Sequence, residues 1–345
     1  MTTEHGAWLA LTSEEPIEPA LPICDPHHHL WDRLNFAIEP RYLLAELLRD
    51  TGSGHNIVRT VFVECQAMYR GDGPPEMRPV GETEFVEGVA AENARRRRSR
   101  TNVAAGIVGF ADLTLGARVT PVLEAHAQAG KGRFRGIRHS CAWDASPDIR
   151  RYKNPPKGQL LDPRFRQGIA RLREMGLSFD AWHYHTQLME LVDLARAFPD
   201  LSIILDHVGG PLGTGPYAGR REEVFQVWKR GIAELATCQN VAVKLGGLAM
   251  PVCGFGWEGR PKPPSSEELA KVWAPYYLFC IEKFGPDRCM FESNFPVDKA
   301  SCSYTVLWNA FKRIAQGFSP AERTALFRGT AMRTYRLETA NPKRP

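Results

Sequence analysis

The sequence predicts an α/β fold, a single closed (β/α)8 barrel with long loops after its strands, on three observations. Short apolar runs alternate eight times with longer amphipathic stretches. Stretches rich in proline and glycine, at 71–79, 152–158, 209–219 and 251–264, follow the ends of apolar runs. In a parallel barrel those loops form the catalytic rim. Ionisable or polar residues gather where seven of the eight runs end. An open doubly wound sheet shares the alternation, but no G-x-G-x-x-G follows the first run.

The elements follow in order. Strands are expected at 21–27, 57–65, 103–111, 134–139, 177–182, 202–207, 241–245 and 288–292. Helices are expected at 42–50, 82–98, 119–129, 162–175, 187–198, 221–237, 265–284 and 303–316. Asp162-Pro163 gives a capping carboxylate and then a first-turn proline. Ser265 precedes the acids Glu267 and Glu268, a capping pattern. Gly176 stands where the fifth strand must begin after a helix stop. No internal repeat or linker is visible, so residues 1–20 read as an N-terminal extension and 21–340 as the barrel.

Composition narrows the function classes. The chain has 345 residues, is 43% hydrophobic and 24% charged, and carries a net charge of +5, ordinary for a globular protein. The basic run Arg95-Arg96-Arg97-Arg98-Ser99-Arg100 ends a helical pattern, where cations complement exposed carbonyls. Without aromatic or glycine-rich partners it does not predict nucleic-acid binding. The eight cysteines are scattered with no C-x-x-C pair and read as reduced thiols of a cytoplasmic protein. The N-terminus lacks a signal core, and no apolar run approaches membrane-spanning length. Oligomeric state is left open, with a homo-oligomer allowed.

The candidate chemistry starts at Asp25-Pro26-His27-His28-His29. On a strand, His27 and His29 share a face and can chelate one divalent ion or polarise a carbonyl. Glu64 and Gln66 are expected on one face at the end of strand 2, and Arg138-His139 at the end of strand 4. Strand 5 leads to His183 and His185, strand 6 to Asp206-His207, strand 7 carries Lys244, and strand 8 ends at Glu292-Ser293-Asn294. Buried ion pairs brace many barrels, so no single one of these is diagnostic. Trp31, Tyr69, Trp143, Trp182, Tyr184 and Trp257 lie on rim loops and could wall a ring substrate.

Five segments together resemble one family. They are Asp25-Pro26-His27-His28-His29-Leu30-Trp31-Asp32, Arg135-Gly136-Ile137-Arg138, Tyr184-His185-x-Gln187-Leu188, Leu205-Asp206-His207-Val208-Gly209-Gly210-Pro211 and Met290-Phe291-Glu292-Ser293-Asn294-Phe295-Pro296-Val297. The chain is similar to the amidohydrolase-2 family of the amidohydrolase superfamily, nearest its TIM-barrel metal-dependent hydrolase branch. That branch includes sugar lactonases and 2-pyrone-4,6-dicarboxylate lactonase. The resemblance implies His27 and His29 as ligands, with His185 a looser third. It implies His207 as the group that polarises a carbonyl or moves a proton, and Arg138 as a clamp on a substrate carboxylate. His139, Trp31, Gln66 and Lys244 are the other expected substrate contacts. A divalent ion, zinc foremost, is the expected cofactor.

The departure is on strand 8. The superfamily usually carries Ser-Asp-Trp-Pro, and this chain has Ser293-Asn294-Phe295-Pro296. Neutral Asn294 cannot take a proton from water, so the site could also work without a metal. Glu292 or Glu64 is expected to supply the missing base or ligand, Asp298 being a third option. The expected function is hydrolysis of a lactone, or a related carbonyl bond, of a small acidic molecule. Rival readings are a metal-dependent decarboxylase or hydratase, and a catalytically degenerate barrel acting as a partner subunit.

Overall fold

The computed structural model describes residues 3–33, 39–96, 100–149 and 153–337. Eight parallel strands form one sheet: β1 (Pro22–His28), β2 (Asn56–Val63), β3 (Asn102–Gly109), β4 (Phe134–Arg138), β5 (Ser178–Ala181), β6 (Ile203–Leu205), β7 (Val241–Leu245) and β8 (Cys289–Phe291). Each pairs with the next in sequence. The ring closes just past β8, where the His29 and Asn294 amides donate to the Phe295 and His27 carbonyls. All eight expected strands are present.

Helices follow the strands: α1 (Thr3–Ala10) precedes the barrel, then come α2 (Leu44–Thr51), α3 (Val80–Arg95), α4 (Thr120–Ala129), α5 (Pro163–Glu174), α6 (Leu188–Ala197), α7 (Arg221–Leu235), α8 (Ser266–Phe284) and α9 (Tyr304–Ile314). Local chemistry sets their ends. The Asp162 carboxylate accepts from the Arg164 and Phe165 amides, and Ser265 and Glu268 form a reciprocal cap. Helix α3 stops at Arg95 rather than 98; Arg97, Arg98 and Ser99 of the basic run lie outside the described residues, as do Tyr152 and 338–340.

Apolar side chains divide by strand face, as period-two alternation requires. One set, including Ile23, Ile57, Ile137, Phe179 and Ile203, packs with residues of the surrounding helices. The other, including Cys24, Val61, Val63, Val108, Ile204 and Met290, packs with Ala331, Met332, Tyr335 and Leu337 of the C-terminal segment. On β7, Lys244 of the charged cluster below stands two residues from Ala242, which packs against this second set. All eight cysteines are free and buried. Among the described residues no helix is long and apolar enough to cross a membrane.

Six strands end short of the expected ranges, and two of those ends matter here. β6 stops at Leu205, and His207 and Val208 have φ of 54° and 48°. β8 stops at Phe291, and Asn294 has φ of 53°. Left-handed backbone at non-glycine residues is costly and concentrates at functional sites. Here it ends the alternation, so side chains adjacent in sequence can meet at one place.

Candidate active site

The charged groups of six strands and the histidines of β1 converge at the C-terminal end of the barrel. His27 and His29, two apart on β1, lie with ring centres 4.9 Å apart. His28, between them, is bonded instead to the Thr60 hydroxyl at 2.9 Å. His207 lies 4.5 Å from His27, ring to ring.

Glu292 joins two of these rings. Its Oε1 lies 2.6 Å from His207 Nδ1 and accepts the His207 amide at 3.2 Å. Its Oε2 lies 2.8 Å from His27 Nδ1. Arg138 Nη1, a donor only, approaches His27 Nε2 at 3.3 Å, so Nε2 carries the lone pair and Nδ1 the hydrogen. Lys244 Nζ, 3.1 Å from the same Nδ1, is therefore held by its carboxylates and not by the imidazole. A carboxylate between two Nδ1–H groups leaves Nε2 of both rings as the basic nitrogen. Burial, then the charges of Lys244, His207, His29 and Arg138, holds His27 well below the usual histidine range.

The cations are committed inside the cluster. Arg138 Nε donates to Glu64 Oε1 at 3.0 Å, Nη2 donates to the Glu64 carbonyl, and Nη1 lies 3.5 Å from Asp206 Oδ2. The fork expected for a substrate carboxylate thus faces Glu64. Lys244 Nζ lies 2.8 Å from Asp180 Oδ2 and 2.9 Å from Asp206 Oδ1. The Tyr335 hydroxyl donates to Asp180 at 2.5 Å. Burial pushes the Asp206 carboxyl up, but Lys244, His207 and Arg138 outweigh it and hold it below the carboxylate range. Asp180 ends above that range because burial prevails over Lys244.

Asn294 stands apart from Glu292. Its amide lies between His29 Nε2 at 3.3 Å and Asp298 Oδ1 at 2.8 Å, and His29 Nδ1 meets the Val63 carbonyl at 2.8 Å. Burial, with Glu292 nearby, pushes the Asp298 carboxyl well up.

Three expected contacts, Gln66, His139 and His185, lie elsewhere. Glu64 is fully buried, but β2 ends at Val63 and Gln66, with φ of 64°, is exposed. The two do not share a face, because the left-handed residue breaks the alternation. His139 follows Arg138 and takes the opposite face: its Nδ1 accepts the Leu113 amide, its Nε2 meets Gln159, and its ring lies 5.4 Å from Phe165 of α5. His185 accepts the Leu212 amide and packs edge-on to Tyr217; it bonds with the loop after β6, apart from His27 and His29. Trp31 stacks against His29 at 6.0 Å while its indole N–H is bound to the Glu39 carbonyl. Trp182 stands edge-on to His207 at 4.9 Å.

Asp206 was obscured in the sequence. Strand alternation puts it on the face opposite His207, and only the left-handed turn brings both to the site. Lys153, 3.3 Å from Glu64 Oε2 and 3.4 Å over the Phe110 ring, sits on a loop with no periodic signal. Gly246 and Gly247 make room for the acid and the base. A Cβ at Gly246 would lie 2.3 Å from Glu292 Cγ, and one at Gly247 2.5 Å from His207 Cβ. A pocket of about 800 Å³ lies at the other end of the barrel beside His55, Asn56 and Arg100, away from this chemistry.

The donor set fits a divalent ion. One ligand atom each from His27, Asp206 and His207 lie within 4.8 Å of one another, and two imidazoles with a carboxylate suit zinc with an open position. Both Asp206 oxygens are buried and face cations, Oδ1 toward Lys244 Nζ at 2.9 Å and Oδ2 toward Arg138 Nη1 at 3.5 Å. Four buried carboxylates (Glu64, Asp180, Asp206, Glu292) face three cations, the buried Arg138 and Lys244 and the partly buried Lys153, an excess of negative charge that a cation would relieve.

Comparison with known proteins agrees with the fold and the motif order. The family model described as amidohydrolase matches residues 24–337. The chain is 36% identical over 335 residues to the uncharacterized protein y4mH of Sinorhizobium fredii, covering 92% of this chain and 99% of the relative. It is 28% identical over 257 residues to an L-fucono-1,5-lactonase of Burkholderia multivorans, covering 74% and 77%. An amidohydrolase of Burkholderia multivorans solved with bound zinc superposes with a TM-score of 0.69 at 24% identity, over 92% of this chain and 99% of that one. At that identity the likeness is one of fold.

Proposed function

The chain belongs to the amidohydrolase family, and from that premise we propose that it opens the cyclic ester of a small sugar acid. One observation carries the reading: Glu292 lies 2.6 Å from Nδ1 of His207 and 2.8 Å from Nδ1 of His27. A carboxylate that holds an imidazole by Nδ1–H aims Nε2 as a general base and stabilises the imidazolium that forms. His207 takes the proton of the attacking water at Nε2 and returns it to the leaving alkoxide oxygen. As the carbonyl becomes tetrahedral, Arg138 Nη1 exchanges its 3.3 Å contact with His27 Nε2 for the oxyanion. Trp31 and Trp182 flank His29 and His207 and offer apolar walls to a ring. Names of relatives add support, since those at 28% and 26% identity include an L-fucono-1,5-lactonase and an L-rhamnono-gamma-lactonase.

His27, Asp206 and His207 would hold a divalent ion, which would supply Lewis acidity to the carbonyl and lower the pKa of water; Nε2 of His207 would then be a ligand atom, so the proton transfer above is that of the ion-free site. Asn294 has no place as the base in this scheme; its Nδ2 donates to Asp298 Oδ1.

The test is a panel of sugar-acid lactones followed by a pH indicator, with and without added zinc. Turnover of a five- or six-membered lactone, absent in His207→Asn, is the expected result. A folded protein that opens no lactone on the panel overturns the reading.

A further inference from the structure

Lys244 is a full ionic partner of the cluster, and the proposed chemistry does not use it. It sits on β7, paired in register with Met290 of β8, and is fully buried. Its ammonium touches two of the three groups that could hold an ion: Asp206 Oδ1 at 2.9 Å and His27 Nδ1 at 3.1 Å. Asp180 anchors it at 2.8 Å. Asp180 is in turn held by Tyr335, whose ring lies 5.5 Å from the ammonium. The charged groups around it are thus Asp180 from β5, Asp206 after β6, Glu292 after β8, and His27 from β1.

We propose that Lys244 is a positioning residue, a resident cation that keeps Asp206 and Asp180 in place when no metal is bound and weakens the binding of a divalent ion beside His27. The proposal rests on reading His27, Asp206 and His207 as the ion-holding group. Two buried carboxylates facing each other across a barrel repel and tend to protonate or separate. An ammonium between them removes that strain without an ion. The same ammonium repels an arriving dication at a separation where little water screens it, and it engages an Asp206 oxygen the dication needs. The relocated carboxylate follows the same logic. With Asn at 294 and Glu at 292, the acid bridges His27 and His207 on the side where Lys244 lies.

The experiment reads metal binding and stability, so it is independent of whether any lactone is turned over. The full chain is stripped with a chelator, and zinc binding is measured by calorimetry alongside thermal unfolding and near-ultraviolet dichroism. Stripped wild type should keep its dichroism and melt within about 2 °C of the zinc-loaded protein. Lys244→Met should bind zinc at least about tenfold tighter, and its melting temperature, lowered when stripped, should recover with zinc. Lys244→Gln, which keeps a polar group and removes the charge, should shift in the same direction. Wild type that loses its dichroism or many degrees on stripping overturns the proposal. So does a folded neutral variant that binds zinc no tighter. Should neither variant fold, the wild-type arm decides alone.

Discussion

Glu292→Gln is the sharpest perturbation of the proposed chemistry. The carboxylate lies close to His207 Nδ1 (2.6 Å), the His207 amide (3.2 Å) and His27 Nδ1 (2.8 Å). Glutamine keeps the shape but offers one acceptor and one donor end. It can serve one Nδ1–H and must oppose the other, so one ring has to move its hydrogen to Nε2 and lose its basic nitrogen. It also removes the negative charge that stabilises an imidazolium at His207. The loss of general-base catalysis is about a hundred- to ten-thousand-fold, which is about 3–5 kcal/mol of transition-state free energy. The assay is lactone opening followed by a pH indicator, with spontaneous hydrolysis subtracted. The fall should appear in kcat with KM little changed, because Glu292 is buried behind the rings. Thermal unfolding checks that the variant is folded. A folded Glu292→Gln with kcat within about threefold of wild type would refute the argument that the Nδ1 contacts aim His207.

Three further outcomes follow from the same geometry. Gly247→Ala places a Cβ 2.5 Å from His207 at φ of 72°; it should cost at least about 1–2 kcal/mol by denaturant unfolding and lower kcat, whereas Gly88→Ala, with nothing within 4 Å on α3, should leave kcat alone. Glu82 Oε1 accepts the Cys65 and Ala67 amides, and burial, with Glu64 nearby, pushes its carboxyl up to about 8. Glu82→Gln should therefore change stability at pH 7 by under about 1 kcal/mol, and Glu82→Ala by about 3 kcal/mol or more. Burial holds His28, His126 and His183 down at about 4. Their unfolded forms take up protons near pH 6.5, so stability is full above that pH and is lost as the pH falls toward 4, about 1.4 kcal/mol per pH unit for each. Asp25, pushed up by burial to about 6, and Glu82, pushed up to about 8, act in the opposite sense: their contributions are present below about pH 4 and are lost as the pH rises through 6 and 8. The three histidines outweigh these two acids, so melting temperature should drop between pH 7 and 5; a rise over that range would contradict the assignment of neutral buried rings.

Much of the architecture was legible because it depends on local chemistry. Apolar runs of strand length, capped helices such as the one after Asp162, and stops such as Gly176 each specify their own element. The eightfold alternation then admits few topologies. The pairing of His27 with His29 was legible too, as a two-residue spacing, although β1 shifts register between Asp25 and His28. Failures came where the backbone leaves the strand. Gln66 was expected beside Glu64, but its left-handed φ ends the alternation. His139 was expected to join Arg138, but adjacent strand residues face opposite ways, and it bonds Leu113 and Gln159. His185 sits in a turn bonded to the next loop, a place no periodicity reports.

The sequence by itself determined the barrel, its order of strands, and which histidines and charges stand at their ends, because propensity, capping and alternation act over a few residues. Only the tertiary structure decided which charges meet: that Glu292 joins His27 to His207, that Arg138 turns its fork to Glu64, and that Lys244 lies between Asp180 and Asp206. Those pairings join residues dozens to hundreds of positions apart. They are set by barrel closure and by left-handed turns at His207 and Asn294, which no local pattern encodes.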